Sequence, residues 1–288
     1  MPNETGTHDP STQSNTTWLA VYVTEFVVIF LINSFTIITF SRNPHLRKRT
    51  TYLIINLAVA DLLVGAVSGP MHIYHTLTFK PDSGLTWKKF TVMYFDNAFT
   101  NCSLLNLVLL SLERLHATIF PFRHSLIMNW IYLKAVVCIW LLALILGSAE
   151  AALFLTDSKA NQIVWASLAI IVLTTVVISY TIITFNVKKN VLPQLSGARV
   201  SDRKLTATLF VVTALSTLAI LPWFFYVVLN VKEYTRLSKT AKSNIQQSVN
   251  VLFYANSFVN PIVFTLRMQE FRKAALIRCR QPQCQSLH

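Results

Sequence analysis

Long apolar blocks, rather than an alternation of apolar and polar residues, restrict the fold of this chain more than any other feature. A helix needs about 20 mostly apolar residues to cross the hydrocarbon core of a bilayer. Seven segments of the 288-residue sequence are long and apolar enough, and they are Thr17–Phe40, Tyr52–His75, Phe90–Ile119, Ile131–Leu155, Ile163–Phe185, Leu205–Val231 and Ser248–Leu266. The seven segments predict an all-α membrane protein folded as a seven-transmembrane helix bundle. Because the connections are short, no separate domain is expected between the spans.

The composition excludes several other classes of protein. Charged residues make up 13% of the chain and hydrophobic residues 53%, whereas soluble domains carry roughly 25% charged residues. The 4 Cys have no metal-ligand spacing, which argues against a zinc or disulfide scaffold. The net charge of +13 does not indicate a nucleic-acid partner, because in a membrane protein Lys and Arg mark the cytoplasmic loops.

The basic residues also predict the orientation of the chain. Lys and Arg concentrate after spans one, three and five and in the C-terminal tail, which places the N-terminus outside and the C-terminus in the cytosol. We expect an extracellular tail over residues 1–16, the transmembrane domain over 17–266, and a helix with a cytoplasmic tail over 267–288. The first segment has no Lys, Arg or apolar core, so we do not expect a cleaved signal peptide. Its sequons at Asn3 and Asn15 predict glycosylation.

The segment after span seven predicts a short amphipathic helix. Between Arg267 and Arg278 one side carries apolar residues and the other carries basic residues, as in helices that lie on an anionic inner leaflet. Membrane lipids are therefore an expected partner. Cys279 and Cys284 beside this helix are candidate palmitoylation sites, with two unmodified cysteines as the alternative.

Polar side chains inside the spans carry the functional signal, because an ionisable group there costs at least about 2.5 kcal/mol. The ionisable residues are Glu25, Asp61, Asp96, Glu113, Arg114 and Glu150. The surrounding motifs are Asn33 in span one, Asn56-Leu-Ala-Val-Ala-Asp61 in span two, Ser111-Leu-Glu-Arg114-Leu in span three, Trp140 in span four, Pro222 in span six, and Asn256-Ser-Phe-Val-Asn-Pro261-Ile-Val-Phe264 in span seven. In order and depth this pattern resembles the rhodopsin-like (class A) G-protein-coupled receptors.

The resemblance implies a receptor in the plasma membrane that binds an extracellular small-molecule ligand and activates a heterotrimeric G protein, and that is not an enzyme. A transporter or channel is the alternative from another class, but it would be expected to show repeated halves or a charged pore lining. A lysine at the position of Tyr254 would be needed for retinal, and span seven contains no lysine between Ser248 and Leu266.

Asp61, in the middle of the bilayer, must be neutral, paired or bound to an ion. The resemblance implies an allosteric sodium ion at this carboxylate, and no other cofactor is expected. The residues at the matching family positions around it are Ser103, Asn256, Ser257 and Asn260. A protonated Asp61 in a plain hydrogen-bond network is the alternative.

Arg114 lies near the cytosolic end of span three, where its side chain can reach the interface. In the family this arginine pairs with its acidic neighbour, here Glu113, and sometimes with an acid at the foot of span six, here Asp202. The resemblance implies an Arg114–Asp202 bridge that opens to admit the C-terminal helix of the G protein. The other family positions involved in activation are Tyr180, Pro222, Pro261 and Phe264.

Asp96 lies 18 residues before Arg114, which is five helical turns and about 27 Å, so both residues face the same interior. The family's amine receptors place their ligand-binding aspartate at this position, and Tyr254 matches the tyrosine that bonds it. The expected ligand-binding residues are Asp96, Tyr254, Trp223, Phe224 and Asn250. The alternative is that Asp96 is a structural partner of Tyr254 or His72.

The chain departs from the family pattern at several places. Glu-Arg-Leu replaces the usual Asp-Arg-Tyr, Phe264 replaces the tyrosine of Asn-Pro-x-x-Tyr, and Ile220 replaces the span-six tryptophan. The outer disulfide cannot form, because Glu150–Ile163 contains no cysteine. A cysteine-free second outer loop and a proline-free span five are similar to melanocortin, cannabinoid and lysophospholipid receptors. A peptide, nucleoside or lipid ligand therefore competes with an amine.

Overall fold

Seven helices of the computed structural model are long and apolar enough to cross a membrane, which confirms the predicted bundle. The structure describes residues 10–43, 46, 49–78, 87–189, 197–229, 237–268 and 271–272, without the side chains of 10–15, 158, 188–189 and 197–203. Spans one and three to seven are the helices Pro10–Arg42, Trp87–Ile119, Asn129–Thr156, Ser158–Lys189, Gly197–Val228 and Lys239–Arg267. Span two consists of Arg49–Leu63, a π-helical turn at Val64–Ser68, and Gly69–Thr78. Pro121–Ser125 is a short helix between spans three and four.

The helix of span seven extends beyond its predicted apolar segment, since it begins at Lys239 rather than Ser248. The Ser238 hydroxyl caps it by accepting the backbone N–H of Ala241 at 3.2 Å. The added turns are polar and contact span one. The indole N–H of Trp18 in span one donates to Asn244 in these turns at 3.0 Å. Apolar length alone therefore underestimates this helix, whose outer turns depend on hydrogen bonds to another span.

The π-helical turn in span two sets the direction of its outer half. Pro70 has no backbone N–H, and its ring crowds the preceding turn. The wider turn absorbs this conflict, and the Gly69 N–H bonds to the Val64 carbonyl. Ser68, the last residue of the turn, is fully buried, and beyond the turn the His72 ring lies 4.9 Å from the Tyr22 ring. The kink thus brings polar groups of span two into the outer interior.

Span three is the central helix and packs against spans two, four, five and six. Its contact with span four is close at Gly147, where a Cβ would lie 2.8 Å from the Ala98 nitrogen. Two apolar clusters fill the bundle above and below the buried polar groups. The inner cluster includes Phe40, Leu57, Leu110, Leu209 and Phe264, and the outer cluster includes Tyr22, Phe26, Ile29, Val64, Phe99 and Tyr254.

The segment after span seven is described only at Phe271 and Arg272, so most of the expected amphipathic helix lies outside the described residues. Phe271 is fully buried, and its ring centroid lies 5.0 Å from that of Phe40. Asn3, Cys279 and Cys284 lie outside the described residues, as does the Asn15 side chain. Within the described part, Cys102 and Cys138 are free.

Candidate functional site

Asp61 is fully buried in the middle of the bundle, and both of its oxygens accept hydrogen bonds. The Ser103 hydroxyl donates to Oδ1 at 2.8 Å and the Asn260 amide to Oδ2 at 2.7 Å. Ser216 of span six donates in turn to the side-chain oxygen Oδ1 of Asn260 at 3.2 Å. The carboxyl group of Asp61 therefore joins spans two, three and seven, with span six attached through Asn260.

Two further expected residues lie around this carboxyl group. Ser257 lies beside Asp61, and its backbone carbonyl accepts the Asn33 amide at 2.9 Å. Asn256 is buried, and its Oδ1 accepts no hydrogen bond. The structure thus brings Asp61, Ser103, Ser257 and Asn260 together, while Asn256 contributes an unpaired amide oxygen to the same part of span seven.

Arg114 and Glu113 are both buried at the cytosolic end of span three, 4% and 8% exposed. Arg114 donates to both oxygens of Glu113 and to the Thr50 hydroxyl, and Thr50 donates to Glu113 at 3.0 Å. Tyr132 of span four donates to the same carboxylate at 3.4 Å. These bonds tie spans two, three and four together. The Asp202 side chain lies outside the described residues.

His124, in the short helix Pro121–Ser125, extends this inner cluster toward the cytosol. Its Nε2 lies 3.4 Å from a Glu113 oxygen, and its Nδ1 lies 3.3 Å from Nδ1 of His116. Burial lowers the pKa of His124 from its usual value, and the neighbouring charges of Arg114 and Arg49 lower it further, although Glu113 opposes them. Arg49 fixes the short helix by donating to the His124 carbonyl at 3.0 Å.

The remaining residues expected to take part in activation pack as apolar groups. Tyr180 is buried, its hydroxyl has no hydrogen-bond partner, and its ring lies 5.0 Å from that of Phe210. Phe264 packs against Phe40 with centroids 6.3 Å apart. Pro222 and Pro261 lie inside the helices of spans six and seven.

Asp96 lies in the outer half of span three, and Tyr254 donates a hydrogen bond to its Oδ2 at 2.9 Å. The other oxygen, Oδ1, is buried and accepts no hydrogen bond. Ser68 lies beside this carboxyl group, but its buried hydroxyl makes no hydrogen bond. The His72 Nδ1 is 3.5 Å from the Tyr254 hydroxyl. Asp96 is thus bonded to Tyr254, and the unpaired Ser68 hydroxyl lies beside its carboxyl group without a hydrogen bond to it.

The expected aromatic wall lies in a neighbouring cluster. The Trp223 centroid is 4.1 Å from that of Trp165 and 5.4 Å from that of Phe253. Phe224 packs against the same cluster, and Phe253 packs against both this cluster and the one that contains Tyr254. Asn250 lies beside the Tyr22 hydroxyl. The structure therefore bonds Asp96 to Tyr254, while Trp223 reaches Tyr254 only through the Phe253 ring.

Sequence reasoning missed Trp165 and Thr50. Trp165 is 5% exposed near the outer end of span five. A tryptophan at that depth could have been added to the predicted aromatic wall. Thr50 precedes the predicted start of span two. Only the folded bundle shows that its hydroxyl meets Glu113 and Arg114, since no motif marks it.

A family model described as "7 transmembrane receptor (rhodopsin family)" matches residues 32–264. The allatostatin-A receptor of Bombyx mori is 27% identical over 272 residues, which cover 84% of this chain and 73% of that receptor. The human histamine H4 receptor is 30% identical over 153 residues, which cover 51% of this chain and 38% of that receptor. Neuropeptide FF receptor 2 of Mus musculus is 22% identical over 298 residues, covering 88% of this chain and 71% of that receptor. The chain thus spans well under half of the histamine receptor but most of the two peptide receptors.

Proposed function

Since the chain belongs to the rhodopsin family of seven-transmembrane receptors, we propose that it binds a small extracellular amine at Asp96 in the plasma membrane and activates a heterotrimeric G protein in the cytosol. The chain is a multi-pass G-protein-coupled receptor and not an enzyme. The transporter or channel alternative is not favoured. The extracellular N-terminus follows from the positive-inside distribution of Lys and Arg.

One observation carries the amine proposal, and it is the unpaired Oδ1 of Asp96. A protonated amine that leaves water needs a charged acceptor, because an unpaired buried charge is costly. Asp96 offers such an acceptor while Tyr254 holds its other oxygen. The rings of Tyr22, Phe26 and Tyr254 lie around this region, and aromatic faces attract cations.

A peptide is the second candidate ligand. It is supported by the allatostatin-A and neuropeptide FF receptors, which match over most of this chain. Histamine and muscarinic acetylcholine receptors support the amine, but they match over shorter segments. A lipid or nucleoside brings no ammonium to Asp96, so the response of Asp96 variants separates these classes.

The test compares agonist potency on the parent and on Asp96→Asn at equal surface expression, across amines, peptides, nucleosides and lipids. The substitution keeps the size of the side chain and removes its charge. Loss of one partner of a buried charge pair costs roughly 2–5 kcal/mol, which is about 30-fold or more in affinity. Glu150→Gln, a buried acid elsewhere in the bundle, is the matched control. A shift below about threefold for every agonist would leave Asp96 as a structural partner of Tyr254.

The second proposed site is an allosteric sodium ion at Asp61. Its support is one buried carboxyl group with the hydroxyls of Ser103 and Ser257 beside it, joined to span seven by the Asn260 amide N–H. Each carboxylate oxygen can accept more than one bond, so a small hard cation can share it with the donors already present. A protonated Asp61 in the same network is the competing state, and sodium dependence of agonist affinity distinguishes the two.

The third proposed site is the switch at Arg114. The bonds from Arg114 to Glu113 and Thr50 support a role in holding the cytosolic ends of the spans closed. Asp202 at the foot of span six is the proposed second acidic partner. Release of Arg114 would free a cavity for the C-terminal helix of the G protein, which is a two-state element of the kind that a switch requires.

A further inference from the structure

Two buried acids in the outer half of the bundle have oxygens without hydrogen-bond donors. Glu25 in span one is 8% exposed, and neither of its carboxyl oxygens accepts a hydrogen bond. Asp96 leaves Oδ1 unpaired in the same way. Because an uncompensated carboxylate is costly inside a membrane, the two Glu25 oxygens require a proton or an added donor, and Asp96 has only the unpaired Ser68 hydroxyl beside it.

Both acids lie near Tyr254, Asp96 through a hydrogen bond and Glu25 within electrostatic range. Glu25 directly precedes Phe26, whose ring centroid is 5.0 Å from that of Tyr254, and Tyr254 bonds Asp96. Tyr22 lies one turn before Glu25 and donates to Gln247 of span seven at 2.6 Å, so this face of span one is turned toward span seven. Glu25 is close enough to act electrostatically on the hydroxyls of Tyr22 and Tyr254.

A third buried acid, Glu150, is a useful comparison, because a neighbouring amide of the chain can satisfy its carboxyl group. The Asn101 amide donates to Glu150 Oε2 at 2.9 Å, while Glu150 Oε1 and Asn101 Oδ1 are both unpaired. One proton on the Glu150 carboxyl group can bond the Asn101 oxygen and satisfy both atoms, as in a carboxylic acid–amide pair. Glu25 makes no such bond to an amide, so the same explanation does not extend to it.

A metal ion is a poor match for these oxygens. Calcium takes six to eight oxygen ligands, and no group of three or more His, Cys, Asp or Glu in the described part of the chain is arranged to hold a metal. The stacked rings of Tyr22 and Phe26 suit an organic cation instead, because ammonium groups are attracted to aromatic faces.

We propose that the ligand carries two cationic nitrogens, as a short diamine does, with one ammonium at Asp96 and the other at Glu25. This inference rests on the proposed amine site and adds a second charged contact to it. The unpaired oxygens of the two acids then receive their donors from one molecule, whose aliphatic linker lies against the rings of Tyr22, Phe26 and Tyr254.

The test measures the ligand-induced rise in melting temperature of the purified full-length receptor. The probes are putrescine and cadaverine, with n-butylamine and n-pentylamine as monoamines of matched length. On the parent each diamine is expected to bind at least about tenfold more tightly than its monoamine, since a second charge pair contributes that much or more. Glu25→Gln should remove this advantage and leave monoamine binding within about threefold, while Glu150→Gln should change neither.

Glu25→Met provides a second variant of similar volume if Glu25→Gln does not reach the membrane. Equal affinity of diamine and monoamine on the parent, or a diamine advantage that survives both Glu25 substitutions, overturns the inference. In either case a loss of monoamine affinity in Asp96→Asn leaves the proposed amine site intact. If no diamine binds the parent, the second contact at Glu25 is also overturned, and the broader ligand panel on Asp96→Asn still decides the proposed function.

Discussion

The inner and outer regions of the bundle satisfy their buried charges in different ways. In the inner region, both oxygens of Asp61 and both oxygens of Glu113 accept hydrogen bonds from the chain itself. In the outer region, Asp96 and Glu25 leave three oxygens without a donor. Since an unpaired buried acceptor is destabilising, the inner acids are satisfied by the chain itself, whereas the outer acids leave acceptors for a proton or for the proposed ligand.

The largest expected effect is a difference in the free energy of unfolding between variants of Asp61 and variants of Asp96. Asp61→Leu leaves the donors of Ser103 and Asn260 buried without an acceptor, at about 1–3 kcal/mol each. Asp96→Leu strands the Tyr254 hydroxyl but also removes an unpaired oxygen, so its net cost should be smaller. Melting temperatures of the purified variants without ligand measure the difference. Equal destabilisation by the two substitutions would contradict the contrast between the regions.

The next effect concerns sodium. Asp61→Asn should keep the fold but abolish the sodium sensitivity of agonist affinity, because the amide cannot balance the charge of a cation. Coupling between two sites typically amounts to about 1–3 kcal/mol, or 5–150-fold in affinity. Agonist competition curves with sodium or with an equal concentration of potassium measure it, and Glu150→Gln, a buried acid outside both proposed sites, is the control. Equal sodium dependence in Asp61→Asn and the parent would leave Asp61 protonated in its network.

A smaller effect is expected at the cytosolic switch. Asp202→Ala should raise ligand-independent nucleotide exchange only several-fold, because Glu113 and Thr50 still hold Arg114. Thr50→Val removes a buried hydroxyl that bonds both Glu113 and Arg114, so its effect should be at least as large. Basal exchange at matched surface expression is the measurement. Unchanged exchange in both variants would argue against a closed switch at Arg114.

The sequence predicted the fold, and it singled out the buried polar residues of the candidate site, for a physical reason. Spans must be long and apolar, so their number follows from the chain itself, and the few polar residues inside them, such as Asp61 and Asp96, stand out. Contacts between distant spans could not be predicted in this way. The bond from Trp18 to Asn244 joins residues 226 apart, and the turn that brings His72 inward depends on how Pro70 distorts span two. That neither carboxyl oxygen of Glu25 accepts a hydrogen bond likewise could not be predicted, because it depends on which residues of other spans surround Glu25.

The smallest expected effect is the pH dependence of the inner cluster through His124. Its pKa is lowered from 6.5 by burial and by nearby positive charges, so the folded protein favours the neutral imidazole more than the unfolded chain does. The unfolded state therefore binds more protons below about pH 6.5, and stability rises with pH in that window. The contribution of His124 should be complete above about pH 6.5 and should decline as the pH falls toward the lowered pKa. His124→Asn should flatten this slope in melting temperature between mildly acidic and neutral buffer, relative to the parent. The prediction is wrong if His124→Asn keeps the slope of the parent, and Glu113, which opposes the shift, would then dominate the charge of His124.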